Sequence, residues 1–181
     1  MIDAKSYSAE ETLKNGLRVT IRAIRPDDKE QISAAFKELE ESTVHLRFFG
    51  AKEELTAQDL KIATEVDFAR TVALVTCIHG IAGERIIGAG RYIAFGNAEP
   101  PDRAEVAFTV EEDYHGLGIA SRILRHLARI AKERGIAQFH AEVLPENKGM
   151  LAVFNKSGFP MKQEYSDGLA HVILSLRDDP Q

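Results

Sequence analysis

Between Ala104 and Gly135 the hydrophobic period of the chain changes once, and the change falls on a pair of glycines. Glu105, Ala107 and Thr109 alternate with Val106, Phe108 and Val110, the period of two that marks a strand with one buried face. From Ile119 onward, Ile123, Leu124, Leu127, Ile130 and Ala131 recur at helical spacing, with Arg122, Arg125, Arg129 and Lys132 on the outer side. Gly135 is placed to end that helix. The junction reads His115-Gly116-Leu117-Gly118-Ile119-Ala120-Ser121. Glycines there remove side chains from a helix N-terminus, where unpaired N–H donors and partial positive charge gather. Two readings stand side by side: a tight turn, or a loop that binds phosphate.

The flanking chain supplies strands on both sides. Asn15-Gly16 sits between two strand-like pieces, a hairpin signal, and Arg25-Pro26-Asp27-Asp28 opens a helix with Ile32, Ala35, Phe36 and Leu39 on one face. Ser42 or Thr43 is expected to cap a second helical piece ended by Gly50, and Thr56 a third. Phe48 and Phe49 read as core residues more readily than as ligand wall. Residues 70–78 form a nearly continuous apolar strand, and residues 86–95 its hairpin partner, in which Gly88 and Gly90 suggest a bulge or close approach. After Gly135, residues 138–144 read as a strand parallel to the one before the glycine loop. Asn147 opens a short helix closed by Ser157-Gly158, and two strands around Asp167-Gly168 complete the chain. The expectation is one α/β domain over residues 1–181, with loose tails at 1–10 and 177–181.

Composition removes several classes. A net charge of −5 disfavours a nucleic-acid surface and mildly attracts a cationic substrate. No apolar run is long enough to cross a bilayer, and the first residues lack a secretory signal core, so a cytoplasmic protein with no membrane partner is expected. Cys77 has no partner for an intrachain disulfide and reads as a small buried hydrophobe. His45, His79, His115, His126, His140 and His171 show no metal-ligand spacing, so no metal site is expected.

The order of elements and these residues together resemble the GNAT superfamily of acyl-CoA-dependent N-acetyltransferases. That family's loop has the form Gln/Arg-x-x-Gly-x-Gly/Ala, which His115 to Ala120 fits except at its first position. Asn147 and the pair Gly158-Phe159 extend the match. Residues 21–28, His45-Leu46-Arg47-Phe48-Phe49-Gly50, residues 71–75 and 88–92, and Arg103-Ala104-Glu105-Val106-Ala107 look like bacterial Pat-type protein lysine acetyltransferases. The resemblance implies a mixed, mostly antiparallel sheet flanked by helices, with a strand–glycine loop–helix–strand crossover.

The same resemblance implies acetyl-CoA as cosubstrate. Its pyrophosphate would lie on His115, Gly116, Leu117, Gly118, Ile119, Ala120 and Ser121, its pantetheine arm on the backbone of Phe108 and Val110, with Asn147 opposite. Glu105 matches the general base of the family's lysine acetyltransferases. The chemistry needs one, since a lysine ammonium with a reference pKa of about 10.4 cannot attack a thioester until a proton leaves. A carboxylate of reference pKa about 4.3 suits that task only if burial raises it or a water relays the proton. On its residues alone Glu105 reads equally as a salt-bridged strand residue, and Glu142 is the reserve carboxylate. Phe154 stands where many small-molecule members carry a proton-donating tyrosine. The acceptor is expected to be a protein lysine. A small amine is the alternative acceptor, and a non-catalytic acyl-CoA sensor the alternative role.

Overall fold

The computed structural model describes residues 1–48 and 54–177. Among the described residues eight strands form one sheet in the order β1-β2-β3-β4-β5-β6-β8-β7. They are β1 (Ser8–Thr12), β2 (Arg18–Ala23), β3 (Thr71–Gly80), β4 (Gly83–Phe95), β5 (Arg103–Val110), β6 (Gln138–Val143), β7 (Met161–Ser166) and β8 (Leu169–Ser175). Only β5 and β6 are parallel neighbours, as a strand–helix–strand connection requires, and every other pair is antiparallel. The final hairpin folds back so that β8, not β7, lies beside β6.

The helices are α1 (Lys29–Lys37), α2 (Glu41–Phe48), α3 (Ala57–Thr64), α4 (Ile119–Glu133) and α5 (Lys148–Asn155). The apolar stripe of α4 lies across β3, β4 and β5, with Ile123, Leu127, Ile130 and Ala131 fully buried. Each such Leu or Ile contributes roughly 2 kcal/mol of burial. The helix ends as expected: Gly135 takes φ +83°, its N–H donates to Lys132 O at 3.2 Å, and Ile136 N–H donates to Ala131 O at 3.0 Å. Close packing explains Gly90, where a Cβ would stand 2.5 Å from Ile123 Cγ2 and 2.7 Å from Phe108. A bulge falls between Thr76 and Cys77, opposite the Ile86 to Gly88 stretch. Helices α1 and α2 cover the other face of the sheet, packing on β4 and β5, and α3 packs on α1. Thr56 caps α3 as expected, accepting from Asp59 N–H at 3.1 Å while Asp59 accepts from Thr56 N–H at 2.9 Å.

Three expectations change. Residues 1–10 are not a loose tail: Ala4–Ser6 form a 3-10 turn, Ala4 is 1% exposed, and β1 pairs with β2 along its length. Tyr7 Oη and Glu11, the latter at 2.8 Å, both hydrogen-bond His126 of α4, so polar residues fasten this edge. At the other end, residues 178–181 lie outside the described residues. Helix α2 begins at Glu41, before Ser42 and Thr43, and Phe49 and Gly50 also fall outside the described residues. Phe48 is 39% exposed and lines a cavity instead of the core. Among the described residues no helix is long and apolar enough to cross a membrane.

Candidate active site

Strands β5 and β6 pair only at Arg103–Gln138, Ala104–Phe139 and Glu105–His140. Beyond Glu105 they part, because β5 stays bonded to β4 as far as Val110 while β6 stays bonded to β8 as far as Val143. A cleft of about 610 Å³ opens there, walled by Val106 to Val110, the glycine loop, Ala141 to Val143 and the start of α5.

The glycine loop follows a 3-10 turn at Glu112–Tyr114. Gly116 and Gly118 take φ +78° and +89°, a region that side chains with a Cβ avoid. At Gly118 a Cβ would also lie 2.2 Å from Arg122 Nη1. That arginine explains which way the loop faces. Its Nη1 donates to Leu117 O at 3.3 Å and Gly118 O at 3.1 Å, its Nη2 donates to Thr12 O at 2.9 Å, and Lys14 N–H also donates to Leu117 O at 3.3 Å. The loop's carbonyls are thus tied back to the first hairpin. Among the described residues, the backbone N–H groups from Gly116 to Ser121 have no acceptor. Six successive donors at the N-terminus of a 15-residue helix bordering a cleft form a site for an anion such as phosphate. Arg122 is therefore the loop's brace, where helical spacing alone placed it outside, and Arg125 is exposed.

His115 and Asn147 each have a local task. His115 Nε2–H donates to Val110 O at 2.7 Å, closing the bend between β5 and the loop and occupying part of that carbonyl. Asn147 Oδ1 accepts from Met150 N–H at 3.2 Å and caps α5, as its place ahead of the helix suggested, and it also borders the cleft. Phe154 is buried, its ring 6.2 Å from that of Phe108.

Glu105, the last β5 residue paired to β6, is exposed at the point of parting and lines the cleft. Its strand places it near two arginines that sequence reasoning did not single out. Burial pushes the Arg47 guanidinium down to about 10, repulsion from Arg91 adds to this, and attraction to Glu105 opposes it. Burial likewise lowers Arg91, again opposed by Glu105. Lys14, Thr43 and Tyr114 border the cleft as well. Only Tyr114, beside the loop, carried a local signal. Glu142 lines the cleft with its Oε1 3.8 Å from His171 Nδ1.

The strand carboxylate and the free helix-terminal donors thus face one cleft between the parting strands. The chain belongs to the acetyltransferase (GNAT) family, whose profile matches residues 34–159. It is 29% identical to an acetyltransferase of Pseudomonas aeruginosa over 87% of this chain and 83% of that protein. It is 31% identical to acetyltransferase Pat of Mycolicibacterium smegmatis over 76% of this chain, and the match spans 40% of that longer protein. The crystal structure of the GNAT domain of S. lividans PAT superposes with a TM-score of 0.85 at 34% identity, covering 93% of this chain and 96% of that one. The protein is an acetyl-CoA-dependent N-acetyltransferase with a Pat-like GNAT domain.

Proposed function

We propose that this enzyme acetylates lysine side chains of protein substrates, with Glu105 as general base. The observation that carries the reading is the place of Glu105: its carboxylate lines the cleft at the last β5–β6 pair, one strand length before the unpaired loop donors. In this reading Gly116 to Ser121 hold the CoA pyrophosphate, and the free edge of Phe108 and Val110 receives the pantetheine arm. Val110 offers less than a bare carbonyl, since His115 already donates to it. Asn147 keeps its side-chain nitrogen for the cosubstrate while its oxygen caps α5.

Glu105 takes the proton from the lysine ammonium, directly or through one water. The amine nitrogen then bonds to the thioester carbonyl carbon, the C–S bond breaks, and the sulfur takes a proton from solvent, since Phe154 offers none. Exposure of Glu105 favours the water route, because solvent reaches its carboxylate. The Pat resemblance favours a protein as the carrier of the amine.

Glu105→Gln is expected to lower kcat at least ~100-fold while the acetyl-CoA Kd measured by calorimetry changes less than about twofold. Unchanged turnover would remove Glu105 from the chemistry. A second reading, a small amine as acceptor, is favoured by a cavity of about 340 Å³ beside the cleft. Release of CoA thiol with lysine peptides and with free amines, compared in one assay, separates the two.

A further inference from the structure

The smaller cavity lies on the Glu105 face of the sheet, between β3, β4, β5 and the helices α1 to α3. Ile32, Phe36, Ala73 and Ala89 make much of its wall apolar. Arg47 lines both this cavity and the cleft and so stands at their junction. Arg91 also lines the cavity, and its pairing with Ala107 puts it on the same sheet face as Glu105.

Both guanidiniums are half-buried. Arg47 stands 5.0 Å from the Phe48 ring centre, yet among the described residues neither Arg47 nor Arg91 has a hydrogen-bond or ion-pair partner. Partial burial lowers both guanidiniums, and repulsion from Arg91 adds to the lowering at Arg47. The carboxylates in the wall are engaged elsewhere. Glu111 accepts from Arg85 at 2.6 and 2.8 Å, and Asp59 accepts from Thr56 N–H at 2.9 Å. The cavity therefore offers two positive charges in apolar surroundings with no free anion of its own, next to the carboxylate that would receive the proton.

We propose that Arg47 and Arg91 form a carboxylate-binding subsite for the acceptor, so that the amine acetylated at Glu105 belongs to a molecule or segment that also bears a carboxylate. The inference rests on acetyl transfer at Glu105. Guanidinium is the donor matched to that group, since its planar fork meets both carboxylate oxygens, and an apolar wall strengthens the attraction. The same chemistry has two sources: a free amino acid, or a lysine next to Asp or Glu in a protein. In both, Glu105 faces the ammonium end while the arginines face the anionic end.

The test compares matched acceptors on the full chain: a lysine peptide with Glu flanks against one with Gln flanks, and free lysine against lysine amide. The wild-type protein is expected to favour the carboxylate-bearing member of one pair by about tenfold in kcat/KM, and that pair identifies the source. Arg47→Gln and Arg91→Gln should each bring the ratio close to one. A wild-type ratio near one in both pairs overturns the proposal, as does a ratio that survives both substitutions. A merely structural defect would slow both members and leave the ratio intact. Glutarate separates this inference from the transfer reading. If acetyl-CoA binds but no amine is acetylated, the transfer reading fails. A glutarate-induced rise in Tm that is lost in Arg91→Gln then still supports the subsite, and no rise overturns it.

Discussion

Arg22 and Arg91 stand on the same face of the sheet, since Arg22 pairs with Val75, Val75 with Ala89, and Arg91 lies two residues beyond. Their surroundings are opposite. The Arg22 side chain is 4% exposed and fully matched: its Nη1 and Nη2 meet the two Asp28 oxygens at 2.9 Å each, Nη1 also donates to Ala23 O at 3.0 Å, and Nη2 bonds Glu84. Burial opposes its charge, but the bonds to Asp28 and Glu84 outweigh that and raise its pKa. At Arg91 and Arg47 burial acts with no such bonds, and both are lowered. One arginine completes a network joining β2, the Pro26–Asp28 turn and β4, whereas the other two leave their donors unused beside a cavity. A half-buried guanidinium with no partner among the described residues, where the fold elsewhere pairs one completely, is what the proposed acceptor subsite would use.

The contrast is broken most directly at Asp28. Its Oδ2 also accepts from Arg25 N–H at 2.8 Å, so Asp28→Ala leaves the buried Arg22 with Glu84 as its one carboxylate and strands a backbone donor. A loss of about 3–5 kcal/mol is expected, read as a fall in Tm of roughly 10 °C. Adding Arg22→Met should recover part of it, because the under-paired buried charge goes too while the Arg25 N–H stays unpaired. A loss below about 1 kcal/mol for Asp28→Ala would mean that the Arg22 network is not holding the fold.

Acid attacks the same network with a smaller effect. The hydrogen bond from Arg22 holds the Glu84 carboxyl below its usual 4.5, with burial opposing. A folded-state value below the unfolded one means that the stabilisation is complete above pH 4.5 and is lost as pH falls through the folded value. Chemical denaturation between pH 6 and 3 should show stability falling at the acid end, with a shallower slope in Glu84→Gln. Asp67, lowered first by the N–H of Thr71, contributes in the same direction and sets the slope that remains. An identical slope in Glu84→Gln would detach the acid sensitivity from Arg22.

How much of this was visible in the chain follows from how local each cause is. The β5–loop–α4–β6 crossover could be read because its periods, glycines and Gly135 cap act within a few residues. Glu105 could be placed on a strand face by alternation alone. Edge strand β1 could not, since Ser-Ala-Glu-Glu-Thr shows no apolar alternation and its anchor is His126, more than a hundred residues away. Arg122 looked like an outer-face residue because its acceptors at Leu117, Gly118 and Thr12 depend on how a distant hairpin packs. The order β8 before β7 is equally non-local. Arg47 and Arg91 carry no pattern in sequence, because what distinguishes them is that neither has a hydrogen-bond or ion-pair partner among the described residues.

The smallest expected effect is the most discriminating. Arg91→Gln keeps much of the side-chain stem against the cavity wall and removes a lowered, unpaired charge, so packing loss and relief of desolvation nearly cancel. Stability is expected to change by less than about 1 kcal/mol, or roughly 3 °C in Tm, with either sign. The measurement belongs beside Asp28→Ala in one thermal series under one buffer. Should Arg91→Gln cost as much as Asp28→Ala, Arg91 would be supporting the fold through contacts of its own, and the two arginine sites would no longer differ in kind. A near-zero value leaves Arg22 as the guanidinium the sheet needs and Arg91 as one it does not.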